Sequence, residues 1–171
     1  LDVRVVPGLG GRVSSLVSGD GHEWIAPGAG GVDVVPFDRH FAEPATLPFE
    51  VKANASSRCT LERSSRRRHV HTRSLEAETS GLVLDTQFRT IRSAPLEQKL
   101  VFRAALDLGH ASAAAYRVDE GRWHTLTVPE DQLFMIRRLE SAGGFGGALT
   151  LASPVTGRAV TLSGDLDRIE R

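Results

Sequence analysis

Hydrophobic and polar residues alternate with a period of two along most of this chain, which sorts neighbouring side chains onto opposite faces of β-strands. Val3 and Val5 open the pattern, and Pro7 with the turn Gly8-Leu9-Gly10-Gly11 closes it. Arg12 to Val17 predicts a second short strand, stopped by Ser18-Gly19-Asp20-Gly21, and His22 to Ile25 a third, ended by Pro27 and Gly28-Ala29-Gly30-Gly31. Val32 to Pro48 reads as an irregular segment, because Pro36, Pro44 and Pro48 bracket charged residues and a histidine between Phe37 and Phe41. Strand patterns resume at Phe49–Lys52, Cys59–Glu62, Arg68–Glu78 and Leu82–Ile91. Leu96 to Leu108 suits helix or strand, and strand is favoured by its β neighbours and by Gly109 at its end. Tyr116–Val118 and Trp123–Val128 predict a hairpin around Asp119-Glu120-Gly121, and Leu133–Leu139 a strand or short helix. Ala148–Leu151 and Arg158–Leu162 predict a last hairpin. Roughly ten or more short strands with turn signals every eight to twelve residues or so specify an all-β protein, a sandwich or barrel.

Composition narrows the class. The chain has 171 residues, of which 40% are hydrophobic and 25% charged, a balance that excludes wholesale disorder and supports a core. No composition shift divides it, so a single domain over 1–171 is expected. Lys+Arg and Asp+Glu both total 21, which removes the global positive field of a dedicated nucleic-acid binder. No run approaches the roughly 20 apolar residues of a membrane-spanning helix. Cys59 is the one cysteine and cannot close a disulfide within the chain. Leu1-Asp2-Val3-Arg4 lacks the basic and apolar regions of a signal peptide, and a cytoplasmic protein is expected. The absence of an initiator Met fits a processed chain or a piece of a longer one. Many strands leave edges to pair, with nothing in the sequence to set an oligomeric state.

Most candidate motifs have a plain structural reading. Gly8–Gly11 and Gly143–Gly147 lack the Lys-Ser/Thr ending and the following helix of a phosphate loop, so they read as turns. His69 and His71 share one strand face and can serve as two metal ligands, as part of an anion-binding patch, or as a solvated face. No third ligand is identifiable and Arg66–Arg68 oppose a divalent cation, so the solvated face is favoured. The basic run Arg63–Arg73 reads as a solvated edge strand. No Gly-x-Ser-x-Gly elbow is present, and Cys59 reads as a buried or half-buried structural thiol. The proline-bracketed loop differs. There His40 stands among Asp38, Arg39 and Glu43, where an imidazole can exchange a proton near neutrality and a guanidinium can fork onto hydroxyls or a carboxylate.

The order of motifs in the opening stretch adds to this. Val5-Val6-Pro7-Gly8-Leu9-Gly10-Gly11-Arg12-Val13-Ser14-Ser15-Leu16, then Gly21-His22-Glu23-Trp24-Ile25, resembles the N-terminal signature of the aldose 1-epimerase (galactose mutarotase-like) proteins. Gly30-Gly31-Val32-Asp33-Val34-Val35-Pro36 is similar to that family's Gly-Gly-x-Asp/Glu-x-x-Pro loop, and Phe37–Val51 to its histidine-bearing loop, entering a strand through Pro48-Phe49. The resemblance covers about the first 50 residues. It implies a large twisted antiparallel β-sandwich, the galactose mutarotase-like supersandwich, with a sugar or glycan bound in a cleft on one sheet.

The resemblance also implies a chemistry without metal, nucleotide or other cofactor. A carboxylate takes the proton of the anomeric hydroxyl, a histidine protonates the ring oxygen, and reclosure of the opened ring gives the other anomer. Such acid–base groups contribute on the order of 10² to 10⁴ in rate each. Carried onto this chain, His40 is the acid or ring-oxygen contact, His110 the second histidine and Glu140 the positional counterpart of the base. Arg39 and Glu43 contact substrate hydroxyls, and Trp123 offers a stacking platform. The chain departs from the family around these residues: Asp38-Arg39-His40-Phe41 lacks the usual Asp-His-Gly string, and Ala111-Ser112-Ala113 follows His110 where aromatic and Asn residues are usual. Three functions are thus expected in competition: a mutarotase-like enzyme, a non-catalytic carbohydrate-binding or accessory domain of a glycoside-active protein, and a purely structural β-domain.

Overall fold

The computed structural model describes residues 1–28, 31–37, 47–64, 69–90, 99–109, 114–126 and 148–163. Twelve strands and one short 3₁₀ turn (Pro7–Leu9) make up the regular structure of these residues, and all strand pairing is antiparallel. The protein is all-β. Its residues gather into two compact units, Leu1–Leu106 and Asp107–Arg171.

The first unit holds two four-stranded sheets. One contains β1 (Asp2–Val6), β2 (Arg12–Val17), β3 (Val32–Phe37) and β8 (Lys99–Ala104), in that spatial order. The other contains β4 (Glu50–Asn54), β5 (Arg58–Ser64), β6 (His69–Ala77) and β7 (Leu82–Thr90), a meander of sequential strands. Both sheets feed one core. Val13 and Val32 from the first sheet cluster with Leu61 and Leu75 from the second, closed by Ile25 and Phe49. This is the sandwich arrangement that alternation specifies, with β2, β3, β5 and β6 each turning residues into the core.

Several strands lie where periodicity sets them. β2 spans the residues expected of it, and β7 covers Leu82–Thr90 of the expected Leu82–Ile91, with Ile91 outside the described residues. Residues 99–104 form strand rather than helix. Two expectations are corrected. His22 to Ile25 does not form a strand: only the isolated bridges Val17↔Glu23 and Ile25↔Leu106 are made. The cause is the Glu23 carboxylate, which accepts from Leu16 N at 2.8 Å, from Ile25 N at 2.9 Å and from the Ser15 hydroxyl, so a side chain replaces ladder bonds. Conversely, Val32–Phe37, expected to be irregular, is strand β3. The prolines misled, because Pro36 pairs opposite Leu100 of β8, while β2 meets β3 only at Val13↔Val32. Around Pro36 the strand thus carries a ladder on one side among the described residues, a position where a missing N–H is tolerated.

One glycine is required by close approach. Gly31 has φ of 84°, and a Cβ there would stand 1.9 Å from the Val13 carbonyl oxygen.

The second unit holds a four-stranded sheet in the order β10 (His124–Leu126), β9 (Ala114–Val118), β11 (Ala148–Ala152) and β12 (Ala159–Ser163). Both expected hairpins form, with Tyr116 opposite His124 and Thr150 opposite Thr161. Asp119 leaves β9 in the left-handed region at φ 49°, and its backbone N–H and side-chain oxygen bind the carbonyl and amide of Ala148 at 2.7 and 2.8 Å.

Candidate functional site

Strand parity places polar chemistry inside the first unit. On β5, Cys59, Leu61 and Arg63 share one face; on β6, so do His71, Arg73 and Leu75. The register sets Arg63 opposite His71 and Leu61 opposite Arg73, and β7 adds Phe88 and Thr86 in the same rows. Because Leu61 and Leu75 belong to the core, the arginines and histidine on their face are carried into it. Arg73 is 2% exposed and His71 1%.

These residues correct two expectations. The described part of the Arg63–Arg73 run is not a solvated edge, since β5 and β6 are the two central strands of their sheet; residues 65–68 lie outside the described residues. Nor is His71 on a solvated face: its ring stacks on Phe88 at 4.1 Å between centroids and meets Phe49 edge-on at 4.8 Å. The signal was present in the sequence as parity. His71 and Arg73 step by two from Leu75, while Glu76, exposed, lies on the alternate register.

Arg73 is the centre of the cluster. Its Nη1 forms a 2.9 Å ion pair with Asp33 Oδ1 on β3 and donates to the carbonyls of Gly10 at 3.0 Å and Gly11 at 2.8 Å. The two hydrogens of this nitrogen serve the two glycine carbonyls, and the Asp33 carboxylate adds its charge from the side. The guanidinium therefore ties β6 of one sheet to β3 of the other and to the turn between β1 and β2. Burial pulls the Arg73 guanidinium below its ordinary value, while the charge and hydrogen bond of Asp33 act in the opposite direction. Phe49 lies beneath both arginines, with Arg73 Cζ at 5.2 Å and Arg63 Cζ at 4.8 Å from its ring centre. Arg63 Nη1 also reaches the Leu47 carbonyl at 3.5 Å.

The segment that carries the family resemblance is bound into the same unit. The Gly10–Gly11 turn is held by Arg73, and Phe49 N donates to Pro7 O at 2.9 Å. Glu23 pins the following loop to β2, and Trp24 Nε1 donates to Ser18 Oγ at 3.0 Å with His22 against the indole edge. For Glu23, burial acts to raise the carboxyl's pKa but is outweighed by bonds from Leu16, Ser15 and Ile25 and by the nearby His22, so it lies below the ordinary glutamate value. Cys59 is half-buried at the margin of the core, and burial pushes its thiol upward.

Of the residues expected to form a sugar site, Arg39, His40, Glu43, His110 and Glu140 lie outside the described residues. Trp123 is described. It stands in the second unit just before β10, 48% exposed, with Arg117 Cζ 5.1 Å from its ring centre. Arg117 in turn sits 3.9 Å from Glu120. Near this pair, Tyr116 stacks on His124 at 5.1 Å.

Comparison of the chain with protein-family models, with curated proteins and with solved structures finds no match. Among the described residues no helix is long and apolar enough to cross a membrane, and no three His, Cys, Asp or Glu side chains group as metal ligands would.

Proposed function

We propose that this chain is a carbohydrate-binding β-protein of the aldose 1-epimerase kind, working in the cytoplasm on a free sugar by acid–base ring opening. The observation that carries the reading is the form taken by the resembling stretch. Strand β1, the Gly10-Gly11-Arg12 turn, strand β2 and the Glu23-Trp24 pair follow one another on the wall of an antiparallel sandwich. The turn is tied to the core by Arg73, and Glu23 ties its own loop to β2, so the stretch is hydrogen-bonded into the sheet framework. A well-anchored wall suits sugar recognition, which has to distinguish hydroxyl directions and loses affinity when the contacts are loose.

In this reading His40 protonates or contacts the ring oxygen, Arg39 forks onto adjacent hydroxyls, and a carboxylate removes the anomeric proton. The histidine and the carboxylate divide the two proton transfers, so neither charged sugar form has to exist free in water. A second reading, a binding domain without catalysis, is favoured by the residues around His40 and His110, which depart from the family's strings. Calorimetric titration with galactose and with glucose tests the shared part of both readings. Binding heat that disappears in His40→Ala or Arg39→Ala is expected. Absence of heat with either sugar would remove both readings, and heat unchanged in both variants would move the site away from this loop.

A further inference from the structure

The second sheet of the first unit treats its two edges differently. On one side, β4 is five residues long, shifts register between Val51 and Ala53, carries Lys52 and is exposed throughout. A short, bulged, charged strand is how sheets avoid recruiting a further strand. On the other side, β7 runs nine residues and pairs with β6 without interruption from Leu82↔Ala77 to Thr90↔His69. It has no bulge, proline, glycine or lysine. Among the described residues no strand lies on its far side. Such an edge presents a regular row of backbone donors and acceptors to one more strand.

The order of side chains along β7 specifies what that strand is. Its exposed positions are Val83, Asp85, Gln87 and Arg89, and Gln87 Nε2 donates to Asp85 Oδ2 at 3.0 Å. A second copy of β7 laid antiparallel about a twofold axis at Gln87 sets Asp85 of each chain opposite Arg89 of the other. Gln87 then faces Gln87, and on the half-buried face Thr86 lies opposite Phe88. No nearby register does this. Centred on Thr86 or Phe88, neither charge meets its opposite; centred on Asp85 or Arg89, like charges face each other. Opposite charges directly across an antiparallel pair stabilise it and like charges destabilise it. A closed twofold contact of this type is also the commonest way for one surface to pair with itself.

We infer that β7 is a self-association edge, at which two copies of this chain pair antiparallel about Gln87 and join their second sheets into one continuous sheet. The inference uses no residue assigned to the proposed sugar site and stands whether or not that reading holds.

Sedimentation velocity of the chain across the micromolar range tests it. The expected result is a concentration-dependent species of twice the 18.5 kDa chain mass. Asp85→Arg and Arg89→Asp each replace two attractive pairs by two repulsive ones, and each weakens self-association by about tenfold or more. The double variant Asp85→Arg/Arg89→Asp exchanges the charges and restores it, which a general loss of folding cannot do. Hydrogen exchange on the unaltered chain gives a second measure, with β7 amides gaining protection as concentration rises. A chain that stays monomeric throughout, single variants that associate as well as the parent, a double variant that fails to recover, or β7 amides indifferent to concentration would each overturn the inference.

Discussion

Arg73→Met is the substitution that probes the first unit most sharply. Methionine fills much of the same space but removes the charge, leaving Asp33 in a site where its residue is 8% exposed and leaving the Gly10 and Gly11 carbonyls without their shared donor. Deleting one partner of a buried ion pair costs about 3–5 kcal/mol, because the remaining charge stays desolvated. For a unit of this size, about 1 kcal/mol moves the midpoint by roughly 4 °C or more, so a fall on the order of 15 °C is expected. The chain offers a clean probe. Its two tryptophans, Trp24 and Trp123, fall in different units, so in a Trp123→Phe background the fluorescence of Trp24 reports the first unit alone. Urea unfolding followed by that signal gives the stability difference. Adding Asp33→Leu to Arg73→Met also removes the buried carboxylate that faced the guanidinium, and the double variant is expected to recover about 1–3 kcal/mol of the loss. A loss below about 1 kcal/mol in Arg73→Met, which is the range of ordinary surface changes, would refute the role assigned to the guanidinium. So would a double variant no more stable than the single one.

Further outcomes follow from the same geometry. Gly31→Ala is expected to abolish folding of the first unit, since its Cβ collides with the Val13 carbonyl, whereas Gly8→Ala, with nothing within 4 Å, is expected to shift stability by no more than about 0.5 kcal/mol; circular dichroism melts separate the two. Glu23 has a lowered folded-state pKa, so its contribution is present above the unfolded value and is lost as pH falls through that value toward the lower folded one. Glu23→Gln should therefore destabilise the first unit by about 1 kcal/mol at neutral pH and flatten the acid limb of its stability profile, and an unchanged acid limb would contradict the clamp. Cys59, half-buried with a raised pKa, is expected to react with a thiol reagent much more slowly in the folded chain than in urea, and equal rates would contradict its placement.

How much of this was legible in the sequence depends on which physical signal carried it. Strands such as β2 and β7 were legible because alternation is a local property, set by the pleat and ended by turn residues. β3 was not, because Pro36 reads as a breaker unless one knows that β2 leaves its side of the strand. The isolated bridges at Glu23 and Ile25 were hidden for the opposite reason: a carboxylate can satisfy backbone amides, and apolar patterning does not register that. The buried cluster is hidden because a basic run reads as a solvated edge strand, whereas burial follows parity. Arg73 sits two residues from Leu75 and across from Leu61, and that alone carries it inward. What compensates it, Asp33 and two glycine carbonyls, comes from segments about 40 and 60 residues away in sequence, and such long-range pairing leaves no local trace. The residues of the proposed sugar site are a different case. Acid–base chemistry has no period, so His40 and Arg39 stand out in the sequence only through residue type and through motif order near the start of the chain.

The most direct test of the central proposal is polarimetry on α-galactose or α-glucose dissolved immediately before the chain is added. The account predicts a faster approach to the anomeric equilibrium, proportional to the amount of chain and reduced to the buffer rate in His40→Ala. Optical rotation that decays at the buffer rate at every chain concentration would contradict it.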